Sequence, residues 1–153
     1  MMQVSDKAKC CGCTACASSC PKNCITMQYD EEGFLYPVVD KDLCVNCGIC
    51  DQVCPFGHLN DREAVNSSTF MALQNSNQNV RINSTAGGAF SLIAEYIINN
   101  GGIVYAVGYN AEMTVCHEKC DSIRGLNKLR GSKYVQSDLR NIFVDINSNI
   151  EER

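Results

Sequence analysis

Eight cysteines and two prolines recur at matching intervals in two short stretches: Cys10, Cys13, Cys16, Cys20 and Pro21, then Cys44, Cys47, Cys50, Cys54 and Pro55. Both read C-x2-C-x2-C-x3-C-P, the second run starting 34 residues after the first. Thiolates are soft metal ligands, and this ladder is the spacing that holds a pair of [4Fe–4S] cubanes, each run sending its fourth cysteine to the other cluster. The crossing rule assigns Cys10, Cys13, Cys16 and Cys54 to one cluster and Cys44, Cys47, Cys50 and Cys20 to the other. Zinc also binds C-x2-C pairs, four ligands to a site, but it calls for no trailing Cys-Pro. The implied chemistry is low-potential one-electron transfer, within a range of about −700 to +450 mV for such clusters.

The segments around the cysteines must position them. Pro21 and Pro55 fix φ and redirect the chain just past the ligand. Ile25, Met27 and Tyr29 alternate with polar residues at strand period, and Asp30 to Gly33 reads as a turn. Phe34, Tyr36 and Val38 alternate back, which predicts a hairpin with one apolar face over the clusters. A short helical turn is expected after each motif loop. Backbone N–H groups in such loops point at cluster sulfurs and, with burial, set the potential. Cys11 and Cys24 fall outside the ladder: each is a small buried apolar residue or a spare thiol for ligand exchange or redox sensing. His58 reads as a surface or packing residue, since four cysteines already serve each cube.

The chain has 153 residues, enough for one ordinary domain or two small ones. With 45% hydrophobic and 20% charged residues, the composition is that of a folded, soluble protein. A net charge of −4 and a pI of about 5.1 give a nucleic-acid partner no electrostatic support. Twelve cysteines would suggest a disulfide scaffold in a secreted chain, but Met1 to Lys9 is polar and lacks an apolar signal core. No apolar run approaches the length of a membrane span. The expectation is therefore a cytoplasmic chain whose thiols mostly hold metal.

The second half reads differently. Residues 60–83 form a polar linker, most polar at Asn75 to Asn79, with Phe70 to Leu73 as a helical turn or docking strand. From 84 to 153 a partial α/β domain is expected, so the fold class is α+β: a 2[4Fe–4S] bacterial-ferredoxin-like module over 1–59, then the partial α/β domain. Phe90, Ile93, Ala94, Ile97 and Ile98 share one helical face. Ser84 or Thr85 could cap that helix, and Asn99 to Gly102 ends it. Ile103 to Val107 reads as a strand buried on both faces, Thr114 to His117 as a weaker strand, and about 122–129 and 138–146 as helices. Ser84 to Gly88 is either an anion-binding helix entry or a tight loop without a ligand. Arg130 to Ser137, in a stretch with six basic residues between 119 and 140, is either a phosphate grip or a solvated face. Cys116 and Cys120 look like half of a metal site, or like buried or free thiols.

Taken in order, the two cysteine motifs, Arg81-x-x-Ser84-Thr85-x-Gly87-Gly88, the apolar helix, His117 and Gly131-Ser132-Lys133-Tyr134-Val135-Gln136-Ser137 resemble the coenzyme F420 hydrogenase/dehydrogenase beta-subunit family. The resemblance runs from about Lys9 to Phe143. It implies FAD beside the clusters, with electrons relayed between them and a flavin or the deazaflavin F420. It also makes Ser84, Thr85, Gly87, Gly88 and Lys133 flavin-binding candidates. The family pattern continues beyond this point through a buried strand into a Gly-Thr-Pro-Cys stretch. The chain therefore reads as truncated, its partner being a missing C-terminal portion or a separate redox protein. The competing reading is a non-enzymatic ferredoxin-type carrier in which 84–153 is a docking platform.

Overall fold

The computed structural model describes residues 6–57, 69–139 and 141–151. Its elements in chain order are a 3-10 turn (Lys7–Lys9), α1 (Ala15–Ser18), β1 (Ile25–Tyr29), β2 (Leu35–Val39), α2 (Ile49–Gln52), α3 (Gln78–Ile82), α4 (Ala89–Asn99), β3 (Val104–Tyr109), β4 (Val115–Cys120), α5 (Ile123–Leu129) and α6 (Ile142–Glu151). They fall into two compact units, one of Met1–Asn66 with Asn141–Arg153 and one of Ser67–Arg140. His58 and the start of the expected linker lie outside the described residues.

In the first unit β1 and β2 form the expected antiparallel hairpin, but its register corrects the face. Ile25, Met27 and Tyr29 pair with Val39, Pro37 and Leu35, so the inward set on β2 is Leu35, Pro37 and Val39 rather than Phe34, Tyr36 and Val38. A shift of one residue moves every side chain to the other face. Asp30 fixes the turn. Its Oδ1 accepts from the backbone N–H groups of Glu32 and Phe34 at 3.0 and 2.9 Å, and its Oδ2 from Lys7 Nζ at 2.5 Å. The Lys7 ammonium also stands 5.0 Å from the centroid of the Tyr36 ring, which occupies that outward face. The expected helical turns lie inside the motifs rather than after them: α1 and α2 each start just before the third cysteine and end before the fourth. Three intervening residues are one turn of helix. Cys16, Cys24, Ile25 and Cys50 form the buried centre, with Met27 and Val39 packed on it. α6 packs against α1 in this unit.

In the second unit β3 and β4 pair antiparallel, Val104 with Cys120 through Tyr109 with Val115. One parallel bridge joins Cys116 to Asp138, with His117 N–H donating to Asp138 O and Asp138 N–H to Val115 O, both at 2.9 Å. β3 is not buried on both faces: Val104 and Gly108 are buried, the three residues between them half-buried and Tyr109 exposed. The core is Ala94, Val104, Cys120, Leu126 and Leu129, with Ile97, Ile98 and Ala106 against it. α4 is turned from the expected stripe. Ser91 and Ala94 are its buried residues, while Phe90 and Ile93 are exposed.

The Asn-rich stretch is capping chemistry. The Asn77 side chain accepts from the N–H groups of Asn79 and Val80 and starts α3, which composition alone leaves as linker. Phe70 to Leu73 forms neither helix nor strand and is exposed.

Candidate metal centres and an adjoining-motif pocket

The cysteines of the first unit line two separate pockets. One is walled by Cys44, Cys47 and Cys50 of the second motif and Cys20 of the first, with Cys24, Ile25 and Val39. The other is walled by Cys10, Cys13 and Cys16 of the first motif and Cys54 of the second, with Cys11, Met27 and Pro37. Free space within them, mouths included, is about 370 and 310 Å³. Cys20 and Cys54 lie past the ends of α1 and α2, and each lines the pocket that holds three cysteines of the other motif. The hairpin serves both pockets, Ile25 and Val39 covering one and Met27 and Pro37 the other.

The backbone repeats as well. Gly12 and Asn46 hold φ of 63° and 58°, and Thr14 and Gly48 hold 60° and 78°, at corresponding positions of the two motifs. Left-handed residues in tight succession turn successive N–H groups toward the loop interior, an arrangement that suits bound anions. Among the described residues no three His, Cys, Asp or Glu side chains converge tightly enough for a single ion; the thiols ring each pocket instead. A cubane asks for such a ring, because each thiolate goes to a different iron corner. The donor set therefore fits a [4Fe–4S] cluster in each pocket.

Burial pushes the Cys16 thiol up to about 11. At Cys20 burial acts in the same direction, but the backbone N–H groups of Cys24, Lys22 and Asn23 and the Cys24 thiol outweigh it and bring Cys20 below the usual thiol value. Its Sγ lies 3.4 Å from Cys24 Sγ. Cys24 is pushed up to about 11, first by that hydrogen bond and then by burial. Of this pair, Cys20 is the one shifted toward the thiolate form that a ligand takes, and Cys24 the one shifted away from it.

Comparison with known proteins bears on this unit. Residues 9–58 match the 4Fe-4S dicluster domain family. This stretch is a ferredoxin-type dicluster domain. It is 38% identical over 50 residues to the pyruvate synthase subunit PorD of Methanothermobacter marburgensis, covering 33% of this chain and 52% of that protein. It is 38% identical over 52 residues to an uncharacterized ferredoxin of Methanocaldococcus jannaschii, 34% of this chain and 66% of that one. It is 40% identical over 43 residues to the ferredoxin-type protein NapF of Haemophilus influenzae, 28% and 24% of the two chains. The chain thus spans about half the length of PorD. No helix among the described residues is long and apolar enough to cross a membrane.

Beyond the dicluster domain, the second unit holds a larger pocket, about 1020 Å³ counted the same way. Ser84, Thr85, Gly88, His117, Arg130 and Lys133 are among its lining residues. The two glycine-bearing stretches meet here: Thr85 Oγ1 lies 3.2 Å from Ser132 Oγ and accepts from Ser132 N–H at 3.3 Å. Gly87 is not on the wall. Any Cβ there would stand 2.5 Å from Leu73 O, so it serves the close approach of 73–75, whose Asn75 N–H donates to Gly87 O at 2.6 Å. Neither Ser84 nor Thr85 caps α4; its N-cap is Gly88 at φ 77°, while Ser84 Oγ donates to Val80 O. Lys133 Nζ donates to Leu129 O and Arg130 O at the end of α5, and burial lowers its pKa. Sequence reasoning missed Ser91, 1% exposed, whose Oγ has no partner; Arg130, which opens the expected phosphate grip, has its Nε buried without one although the guanidinium pairs with Glu95 at 3.4 Å. His117 Nδ1 lies 2.8 Å from Ser137 Oγ.

Cys116 and Cys120 sit on β4, where four residues span about 13 Å, too far for one ion. Cys120 belongs to the core, and Cys116 is fully buried.

Proposed function

We propose that this chain binds two [4Fe–4S] clusters and relays electrons between them and a flavin or deazaflavin, in the manner of the coenzyme F420 hydrogenase/dehydrogenase beta subunits. The observation that carries the metal part is the crossed composition of the two pockets, three cysteines of one motif with the fourth of the other in each. The ligands are then Cys10, Cys13, Cys16 and Cys54 for one cluster and Cys44, Cys47, Cys50 and Cys20 for the other. When bound, the clusters supply one-electron storage. The protein's own part is to hold them with thiolates and to cover them with the hairpin.

What supports the flavin part is the second unit's pocket. Arg130 and Lys133 offer positive charge to an anionic tail, Ser84, Thr85 and Ser132 offer hydroxyls, and Ser91 Oγ and Arg130 Nε are buried donors without protein partners. Buried polar groups cost free energy until paired. In this reading Gly87 shapes the loop and Gly88 opens α4 beside the ligand.

Anaerobic reconstitution tests both parts. About eight irons and eight sulfides per chain are expected, with FAD retained through gel filtration and released on denaturation. A cluster-loaded chain that never binds FAD and reduces neither a flavin nor a deazaflavin overturns the flavin part. That result leaves the second reading, a ferredoxin-type carrier for a partner oxidoreductase, which the confinement of the family match to 9–58 favours.

A further inference from the structure

The two cysteine motifs repeat their backbone, and one of the positions at which their residues differ is left-handed in both. Thr14 and Gly48 occupy the same place, immediately after the second cysteine, both left-handed and both opening a helical turn. Glycine adopts that conformation freely, and nothing lies within 4 Å of the position a Cβ would take at Gly48. A β-branched residue there is strained. Thr14 is nevertheless present, and its side chain does none of the tasks a threonine has at a helix start. It makes no capping hydrogen bond, and its Oγ1 is buried with no partner in the protein, in a residue only 5% exposed. What it does is line the pocket of Cys10, Cys13, Cys16 and Cys54.

We propose that the Thr14 hydroxyl donates a hydrogen bond to a sulfur of the cluster in that pocket and makes that cluster the more easily reduced of the two. The inference rests on the reading of the pockets as cluster sites. A hydroxyl can donate a proton to sulfur, and Thr14 lines the same pocket as Cys10, Cys13, Cys16 and Cys54. Adding one electron, from a partner or from dithionite, increases negative charge on the cluster sulfurs. A donor beside them therefore stabilises the reduced form over the oxidised one. Gly48 supplies no such donor, so otherwise similar sites become unequal, and an electron arriving at the pair rests preferentially on the Thr14 side.

The test is a redox titration of the reconstituted full chain, followed by EPR, for wild type, Thr14→Ser, Thr14→Val and Thr14→Gly. The wild type is first analysed for iron and sulfide: a chain without clusters defeats the reading beneath this proposal, whereas the proposal itself is judged only on loaded protein. Wild type and Thr14→Ser should show two separated potentials. Thr14→Val and Thr14→Gly should lower the higher one alone, by about tenfold in the one-electron equilibrium, or about 59 mV. Thr14→Gly relieves backbone strain, so it reports even if Thr14→Val folds poorly. Pulsed EPR of the reduced wild type in H2O and D2O should show, beyond the backbone N–H protons common to all variants, an exchangeable proton coupled to one cluster and missing in Thr14→Gly. Unchanged potentials in Thr14→Gly, equal shifts of both, or an exchangeable-proton spectrum identical to that of the wild type would overturn the proposal.

Discussion

Cys54→Ser separates a crossed arrangement of the clusters from one in which each motif closes its own. Cys54 belongs to the second motif, yet it stands in the wall of the pocket that Cys10, Cys13 and Cys16 line. Removing it leaves that pocket with three of its four in-pattern thiols, while the pocket of Cys20, Cys44, Cys47 and Cys50 keeps its full set. About four of about eight irons should be lost. The thiols released should be those of the first motif. The assay is alkylation of the native, reconstituted protein under anaerobic conditions, with mass spectrometry to locate labelled cysteines. Cys10 and Cys13, half-buried and so within reach of reagent, should change from protected to labelled, while Cys44 and Cys47 stay protected. Cys20→Ser should give the mirror image. Labelling of Cys44 and Cys47 in Cys54→Ser, with Cys10 and Cys13 still protected, would refute the crossed assignment.

Asp30 should make the hairpin acid-sensitive. The bond from Lys7, then the N–H groups of Phe34 and Glu32, hold its carboxyl below the ordinary 3.8. Its stabilisation is complete above about 3.8 and is lost as pH falls through the lower folded value, so the advantage of wild type over Asp30→Asn in urea unfolding should shrink below that pH. Gly87→Ala places a Cβ 2.5 Å from Leu73 O, and urea unfolding of the second unit should show a loss of about 1–3 kcal/mol. Asn77→Ala removes the cap of α3 and should cost about 1 kcal/mol in the same assay; no loss would mean that α3 does not depend on that cap.

The sequence made the cysteine sets, the hairpin and the order of elements from α4 to α5 legible, because each rests on a local period or a ligand spacing. The hairpin's inward face was not legible. Phe34, Tyr36 and Val38 alternate as regularly as Leu35, Pro37 and Val39, and only the register set by the Asp30 turn chooses between them. α3 escaped because its signal is a single capping Asn77 in a run of asparagines, and five residues are too few to show a period. On α4 the buried Ser91 breaks the apolar pattern, so the visible stripe pointed at Phe90 and Ile93 instead. The pocket residue Ser91 carries no motif of its own. Its place in one pocket wall with Arg130 depends on Thr85 meeting Ser132 across 47 residues of chain, which no local pattern encodes.

The passage of each fourth thiolate into the other motif's pocket also bears on how the protein fills with metal. In the crossed arrangement proposed above, either cluster would be a cross-link between the two motifs, with the loop from Cys20 to Cys44 nested inside that from Cys16 to Cys54. Closing the first loop carries the entropy of bringing the motifs together, a cost that grows only slowly with loop length. The second cluster then meets ligands already gathered. Loading should accordingly be cooperative, so that at limiting iron the chains divide into empty and doubly filled populations, with few holding a single cluster.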